Sequence, residues 1–176
     1  GSEYFDNFWL FISESDIIEV IYLFLVIEFL RFFKIKDLKS ILIFLLSMIL
    51  MIVFTDQSSN FFKEFFERLR PCHNTELIEI IRIVKDGCGG LYGFFSAHAA
   101  NTFAFASFIY FLTPNENNYK KTSFLLFIWA AIISYSRIYI GVHFPLDIII
   151  GSIYGLLSGY LFHKPFLYFR KSKLIL

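Results

Sequence analysis

Three short stretches of this chain, residues 63–71, 96–98 and 136–147, place ionisable groups in an otherwise apolar sequence. Ionisable groups are costly to bury in so apolar a chain, so they are functional candidates by default. Among their residues, three cations, two histidines and a carboxylate suffice to hold a phosphate and to attack it: Lys63, Arg70, Arg137, His98, His143 and Asp147.

The first stretch combines an apolar stripe with two cations. Its aromatic residues have helical spacing, which predicts a short amphipathic helix at the outer membrane interface, ended by Pro71. Lys63 and Arg70 share a face of that helix, about 10 Å apart along its axis, so both side chains can reach one anion. The alternative is a solvated helix in which Glu67 pairs with Lys63 and Arg70.

The second stretch, Ser96-Ala97-His98, is predicted to begin a helix. Unpaired backbone N–H groups at a helix start attract anions, and the hydroxyl of Ser96 adds a donor. His98 can give a proton to a leaving oxygen. A capping serine followed by an interfacial histidine explains the same tripeptide equally well.

The third stretch contains a nucleophile and a group to orient it. If Asp147 accepts a hydrogen bond from one ring nitrogen of His143, the other nitrogen keeps a lone pair for attack. Arg137 supplies a cation nearby. The alternative is that Pro145 and Asp147 are simply residues that favour a helix start.

Composition predicts the elements that must position these groups. The chain has 176 residues, of which 57% are hydrophobic and 21% aromatic, so we expect an all-α, polytopic transmembrane bundle. With no linker, residues 1–176 form one domain. Its aromatic-rich residues 1–15 lie at the interface, and an outer loop, 56–91, carries the short helix. Five spans are predicted: 17–33, 38–55, 92–112, 122–136 and 146–162, the last ended by Pro165.

The distribution of cations predicts the orientation. Ten of the 16 Lys and Arg residues surround one set of helix ends, which the positive-inside rule makes cytoplasmic: Arg31, Lys34, Lys36, Lys39, Lys120, Lys121, Lys164, Arg170, Lys171 and Lys173. All three stretches then lie on the outer face. A net charge of +1 gives no argument for nucleic acid. No signal-peptide pattern with a cleavage site is visible, which does not exclude a segment before Gly1.

Two further patterns concern packing and the outer loop. Gly151, Gly155 and Gly159 form a small-residue face that allows another helix to approach closely, within this chain or in a dimer. Cys72 and Cys88 fall in the outer loop, where an oxidising exterior allows a disulfide; two free thiols are the alternative.

Together, the three stretches resemble the signature of the type-2 phosphatidic acid phosphatase superfamily, which reads K-x6-RP, then PSGH, then SR-x5-H-x3-D. The matching positions, in chain order, are Lys63, Arg70, Pro71, Ser96, His98, Ser136, Arg137, His143 and Asp147. Two positions differ, since Phe95 and Ala97 stand where the family usually has Pro and often has Gly. These differences alter the shape of the pocket more than the reaction.

The resemblance implies that His143 forms a phosphohistidine, that Asp147 holds it, and that His98 protonates the leaving group and then activates water. It implies that the phosphoryl oxygens are held by Lys63, Arg70, Ser96, Arg137 and the amide of Ala97. It also implies no metal and no cofactor, and the sequence has no compact acidic cluster for Mg²⁺.

The resemblance therefore predicts a lipid phosphatase in the bacterial inner membrane, acting on a phosphorylated lipid at the outer leaflet. Compactness favours undecaprenyl diphosphate over phosphatidylglycerol phosphate and phosphatidic acid. A lipid A phosphatase of the same family is an alternative. A non-catalytic lipid-phosphate binder or transporter is another, although binding needs neither His98 nor the His143–Asp147 pair. The sequence does not indicate the oligomeric state.

Overall fold

The computed structural model describes residues 1–14, 17–32, 35, 37–85, 87–113 and 117–172. Among these residues, the elements are helical, which confirms the all-α prediction. Two short 3-10 helices, Glu3–Phe5 and Pro71–His73, accompany six α-helices: α1 Asp6–Glu14, α2 Ile17–Phe32, α3 Leu38–Phe66, α4 Ala97–Leu112, α5 Asn117–Tyr139 and α6 Pro145–Ser172.

Some of the predictions fall on residues that lie outside this description. The structure does not describe the last residue of segment 1–15, the last residue of span 17–33 or some of the cations from which the orientation is predicted. Lys34, Lys36 and Lys173 are not described, and neither are the side chains of Arg170 and Lys171.

In the part of the chain that the structure describes, two helices are long and apolar enough to cross a membrane by length and composition, Leu38–Phe66 and Pro145–Phe169. Ser123–Tyr139 is a shorter apolar helix. Helices α2 and α4 have 16 residues each, or about 24 Å at the usual rise of an α-helix, against about 30 Å of hydrocarbon. The count of five spans therefore stays a prediction.

The predicted short amphipathic helix of the first stretch is wrong. Helix α3 continues without a break to Phe66 and ends at Glu67, whose left-handed conformation (φ 48°) allows its N–H to bond the carbonyl of Lys63. The polar residues around Ser59 suggest a loop, but Ser59 is buried and donates to the carbonyl of Phe95 at 2.9 Å. Because tertiary contacts satisfy such groups, the helix extends past them.

The prediction that the last span ends at Pro165 is also wrong, because α6 contains this proline and reaches Ser172. Phe166 is buried beyond the proline, and its ring centroid lies 5.6 Å from that of Phe44 in α3. Packing of this aromatic residue accounts for the continued helix. At the other end of the bundle, α4 begins at Ala97, five residues later than the predicted span.

Helices α4 and α6 pack closely against each other. A Cβ atom built on Gly151 would lie 2.7 Å from the carbonyl oxygen of Ser96 in this neighbouring segment. Gly155 and Gly159 meet the backbone of α4 in the same way, at Ala100 and Ala104. The small-residue face is thus used inside the molecule, which supports the intramolecular interpretation.

The N-terminal segment covers the end of α5 and the loop that precedes α4. Trp9 of α1 contacts Tyr135 and Tyr139 of α5, with ring centroids 5.1 and 5.4 Å apart. Cys72 and Cys88 are bonded in that loop, with Cα atoms 6.0 Å apart, and pack in the same small cluster as Trp9. This cluster lies at the end of the bundle where the three stretches converge.

Candidate active site

His143 and Asp147 lie where α6 begins. Asp147 is in the first turn of this helix and is completely buried, and the preceding His143 is only 4% exposed. One oxygen of Asp147, Oδ2, lies 3.4 Å from Nδ1 of His143 and accepts a 2.9 Å hydrogen bond from the N–H of Phe144. With Nδ1 directed at the carboxylate, Nε2 is the nitrogen left to meet a substrate.

The surroundings of His143 keep its ring neutral. Burial lowers the pKa of His143 to about 4, although the hydrogen bond with Asp147 acts in the opposite direction. The charges of Arg70 and Arg137 add to the lowering. A neutral imidazole has the lone pair that a nucleophile requires, so His143 is ready to react at neutral pH.

The three predicted cations reach the pair from three different elements. Lys63 lies in the last turn of α3, Arg70 precedes the second 3-10 helix, and Arg137 lies in the last turn of α5. Lys63 interacts electrostatically with both arginines and with Asp147. Arg70 is fixed by a 3.1 Å hydrogen bond from Nε to the carbonyl of Tyr92. The three cations outnumber the carboxylate, which suits an anionic phosphate.

The N-terminal segment holds the guanidinium of Arg137. Nη1 of this buried arginine donates to the carbonyl oxygen of Ser13 at 3.2 Å and also to its hydroxyl. The carboxylate of Glu14 lies 3.9 Å from the same nitrogen and forms an ion pair with Lys85. The buried Nε of Arg137 finds no acceptor among the described residues, so it remains a donor for a phosphoryl oxygen.

Helix α4 begins at the same place. The buried hydroxyl of Ser96 accepts a 3.5 Å hydrogen bond from the N–H of Ala99. The backbone N–H of Ser96 donates to the carbonyl of Asp147 at 3.2 Å. The capping role is therefore present, and the hydroxyl hydrogen can still be donated to a ligand. Ala97 is the first helical residue, where N–H groups lack a partner within the helix.

His98 lies one residue further along α4 and is exposed. The charges of Arg137, His143 and Lys63 act on it. The structure thus brings all the predicted site residues to one end of the bundle. An exposed imidazole beside a buried one can exchange protons with solvent, as an acid and base requires.

Three residues outside the sequence motifs also contact the site. Arg68 forms an ion pair with Asp147, and Ser13 and Glu14 hold Arg137. Arg68 and Arg70 are two positions apart, so an extended backbone places both on one face, but the sequence predicts a helix there. No local signal identifies Ser13, which is 124 positions from its partner.

An open groove of about 700 Å³ lies beside the His143–Asp147 pair. The groove is lined by one cation, one amide side chain and four apolar residues: Arg68, Asn74, Leu69, Phe144, Pro145 and Leu146. Within the described residues, no group of three or more His, Cys, Asp or Glu side chains could hold a metal ion.

The fold and the three motifs together are typical of one protein family. The PAP2 superfamily model matches residues 40–171, and the chain belongs to that superfamily, which confirms the resemblance drawn from the three motifs. It is 39% identical over 145 residues to the lipid A 4′-phosphatase of Porphyromonas gingivalis, a match that covers 81% of this chain and 58% of that protein.

Another relative and one solved structure agree with this assignment. The chain is 35% identical over 127 residues to the lipid A 4′-phosphatase of Bacteroides thetaiotaomicron, covering 71% of this chain and 55% of that protein. It thus spans little more than half the length of these relatives. The crystal structure of Aquifex aeolicus LpxE has the same fold, with a TM-score of 0.53, 24% identity and coverage of 90% and 93% of the two chains.

Proposed function

We propose that this protein is a membrane phosphatase that removes phosphate from a lipid through a phosphohistidine on His143. The observation that carries the proposal is the contact between His143 and Asp147, 3.4 Å apart and buried together among the three cations of the site. A pocket that only bound phosphate would need the cations but not a neutral, oriented imidazole.

In the first step, Nε2 of His143 attacks the phosphorus of the lipid phosphate. The new N–P bond forms as the P–O bond to the lipid breaks, and His98 gives its proton to the departing oxygen. Asp147 stabilises the positive charge that develops on the ring. The non-bridging oxygens are held by Lys63, Arg70, Ser96, Arg137 and the N–H of Ala97.

In the second step, His98 removes a proton from a water molecule as the water oxygen attacks the phosphorus. The N–P bond breaks, inorganic phosphate leaves, and His143 returns to its neutral form. The same cations stabilise both transition states, because the charge develops on the same oxygens in each step.

The substrate class that we propose is the phosphorylated glucosamine lipid of the lipid A type. Both curated relatives are named lipid A 4′-phosphatase, and the first is 39% identical over 81% of this chain. This supports the lipid A alternative over undecaprenyl diphosphate, which compactness alone favoured.

The surface of the bundle supports a membrane location. Large apolar side chains are exposed along α3 and α6, in numbers that a soluble protein rarely shows: Leu42, Leu46, Ile49, Leu50, Val53, Phe54, Leu146, Ile149, Ile153, Leu156, Leu157 and Leu161. Lipid chains would cover them. The charge distribution supports a site at the outer leaflet of the inner membrane.

Phosphate release from purified lipids tests the proposal. The panel contains lipid A, undecaprenyl diphosphate, phosphatidylglycerol phosphate and phosphatidic acid, each in the same detergent micelles and compared by kcat/KM. We expect lipid A to give the highest value and His143→Ala to abolish release, while His73→Ala, a change in the outer loop, retains it. Full turnover by His143→Ala would contradict the mechanism, and a preference for another lipid would contradict the substrate class. Binding without turnover by the unaltered protein would indicate a lipid-phosphate binder instead.

A further inference from the structure

Both carboxylate oxygens of Asp147 have partners, but only Oδ2 contacts His143. Oδ1 forms an ion pair with Nη2 of Arg68, whereas Oδ2 faces His143 and accepts from the N–H of Phe144. Asp147 is completely buried, and the side chain of Arg68 is one-third exposed. A buried polar group is costly unless it has partners, and Arg68 supplies one to Oδ1.

The guanidinium of Arg68 lies over two aromatic rings. Its central carbon lies 5.1 Å from the ring centroid of Phe94 and 5.0 Å from that of Phe144. Two aromatic neighbours and one carboxylate leave the group little freedom. A planar guanidinium can stack and pair at the same time, which a lysine ammonium cannot.

The backbone of Arg68 is also held. Its carbonyl accepts a 2.9 Å hydrogen bond from Gly93, and Arg70 donates to the carbonyl of Leu91 at 3.1 Å, on either side of the bridge between Leu69 and Tyr92. In an extended segment, Arg68 and Arg70 lie on the same face. The charge of Arg70 also acts on Asp147, so both arginines act on the site from one extended segment.

We propose that Arg68 is a positioning residue, which holds Asp147 so that Oδ2 keeps Nδ1 of His143 bonded and Nε2 free. This inference rests on the proposed function for its effect on turnover. Arg68 acts through Asp147, in contrast to Lys63, Arg70 and Arg137, which hold the substrate. Its loss should therefore reduce kcat and leave KM nearly unchanged.

A double-mutant cycle tests whether Arg68 acts through Asp147. We expect Arg68→Gln to lower kcat at least tenfold with KM within about twofold, and Arg68→Lys to restore little of it, because the ammonium lacks the planar fork. In a background of Asp147→Asn, Arg68→Gln should have almost no further effect, since the partner through which it acts is gone. The control is Arg31→Gln, an exposed arginine on α2 paired with Glu28, which should match the unaltered protein.

Two kinetic outcomes would overturn the inference. If the effects of Arg68→Gln and Asp147→Asn multiply, Arg68 acts independently of Asp147. If Arg68→Gln raises KM and spares kcat, Arg68 is a substrate ligand rather than a positioning residue.

The tautomer of His143 provides a measurement that needs no substrate. In protein with ¹⁵N-labelled histidine, with His143→Ala for assignment, we expect His143 to carry its proton on Nδ1 and Arg68→Gln to give a mixture of tautomers. An unchanged tautomer in Arg68→Gln would refute the positioning role, whether or not any lipid is hydrolysed. If the unaltered protein hydrolyses no lipid in the panel but the tautomer shifts, the proposed function fails while the inference stands.

Discussion

At the scale of residues, one buried carboxylate joins the groups that would perform the reaction. Asp147 contacts Arg68 and His143 through its side chain, and its carbonyl accepts from the N–H of Ser96. It thereby connects the extended segment after α3, the start of α4 and the start of α6. Displacement of this residue would disturb both the proposed nucleophile and the start of α4, which we propose binds phosphate.

The lowered pKa of His143 predicts an unusual pH dependence. Only neutral His143 can attack, and its pKa is about 4 because of burial. We therefore expect the acid limb of kcat/KM, which reports the free enzyme, to fall as the pH decreases through about 4 rather than through the usual value near 6.5. Steady-state kinetics across the acidic range would show this.

Far-ultraviolet circular dichroism at each pH is the control, because acid unfolding would also reduce the rate. A limb near 6.5 in folded protein would contradict the buried, neutral state of His143.

The sequence alone could predict the residues that we propose act on the substrate. It could not predict all of the residues that position them. His143 and Asp147 are four positions apart, so their contact follows from a helix start between them. Arg68 is 79 positions from Asp147, and its pairing depends on an extended segment where the apolar spacing favours a helix. Contacts of this kind are set by tertiary structure, which local patterns do not record.

At the scale of elements, the close approach of α4 and α6 fixes the distance between His98 and Asp147. A Cβ atom on Gly155 would lie 2.9 Å from the backbone nitrogen of Ala104 and closer still to the carbonyl oxygen of Ala100. Backbone atoms cannot move aside as a side chain can. The two helices would have to separate.

We therefore expect Gly155→Ala to destabilise the protein and to reduce kcat. Helix propensity alone favours alanine by about 1 kcal/mol, but overpacking typically costs about 1–3 kcal/mol, so the packing effect should prevail. Thermal unfolding in detergent would measure it as a lower Tm. Leu157→Ala, on the exposed face of the same helix, is the control and should change the Tm less. An increase in Tm for Gly155→Ala would mean that the helices are not in such close contact.

Helix α1 holds Arg137, one of the cations that we propose bind the phosphate. Ser13 provides two acceptors to Arg137, its carbonyl and its hydroxyl. Hydrogen bonds to charged groups contribute about 1.5–3 kcal/mol, so we expect Ser13→Ala to raise KM about tenfold or more by loosening the guanidinium. Initial rates over a range of lipid concentrations would measure KM.

Ser2→Ala is the matched control, because Ser2 precedes the first 3-10 helix and its side chain forms no capping hydrogen bond. An unchanged KM in Ser13→Ala would show that Arg137 keeps its position without this contact.

The boundaries of the elements were harder to predict than their existence. The apolar core of α3 suggests a short span, yet the helix has 29 residues because Thr55 and Ser59 find buried partners. Pro165 suggests an end to α6, yet the helix continues because Phe166 packs against Phe44. In both helices, tertiary contacts outweigh the local preference.

At the scale of the whole molecule, the site residues meet because successive helices from α3 to α6 run in opposite directions. The ends of α3 and α5 and the starts of α4 and α6 carry the site residues. Successive helices that run in opposite directions bring these four termini to one end. Motif order and span order together could therefore predict the convergence, since it requires only an up-and-down arrangement.

The same arrangement predicts which residues an impermeant reagent can reach. Glu76 lies in the loop between α3 and α4, and Lys121 lies near the start of α5, at the opposite end from Arg137; both are exposed. If the site faces the exterior, as the positive-inside rule favours, Glu76→Cys should react with an impermeant thiol reagent in intact spheroplasts. Lys121→Cys should react only after permeabilisation, and the reverse pattern would contradict the proposed orientation.

The unaltered chain is the control for this labelling. Its two cysteines, Cys72 and Cys88, are bonded to each other, so we expect no reaction in either condition until a reductant is added. After reduction, the half-buried thiol of Cys88 should react from the outside, because it lies in the same loop as Glu76. Labelling without reductant would show that the pair is not bonded in the membrane, and mass mapping of the non-reduced protein would then find no peptide that links them.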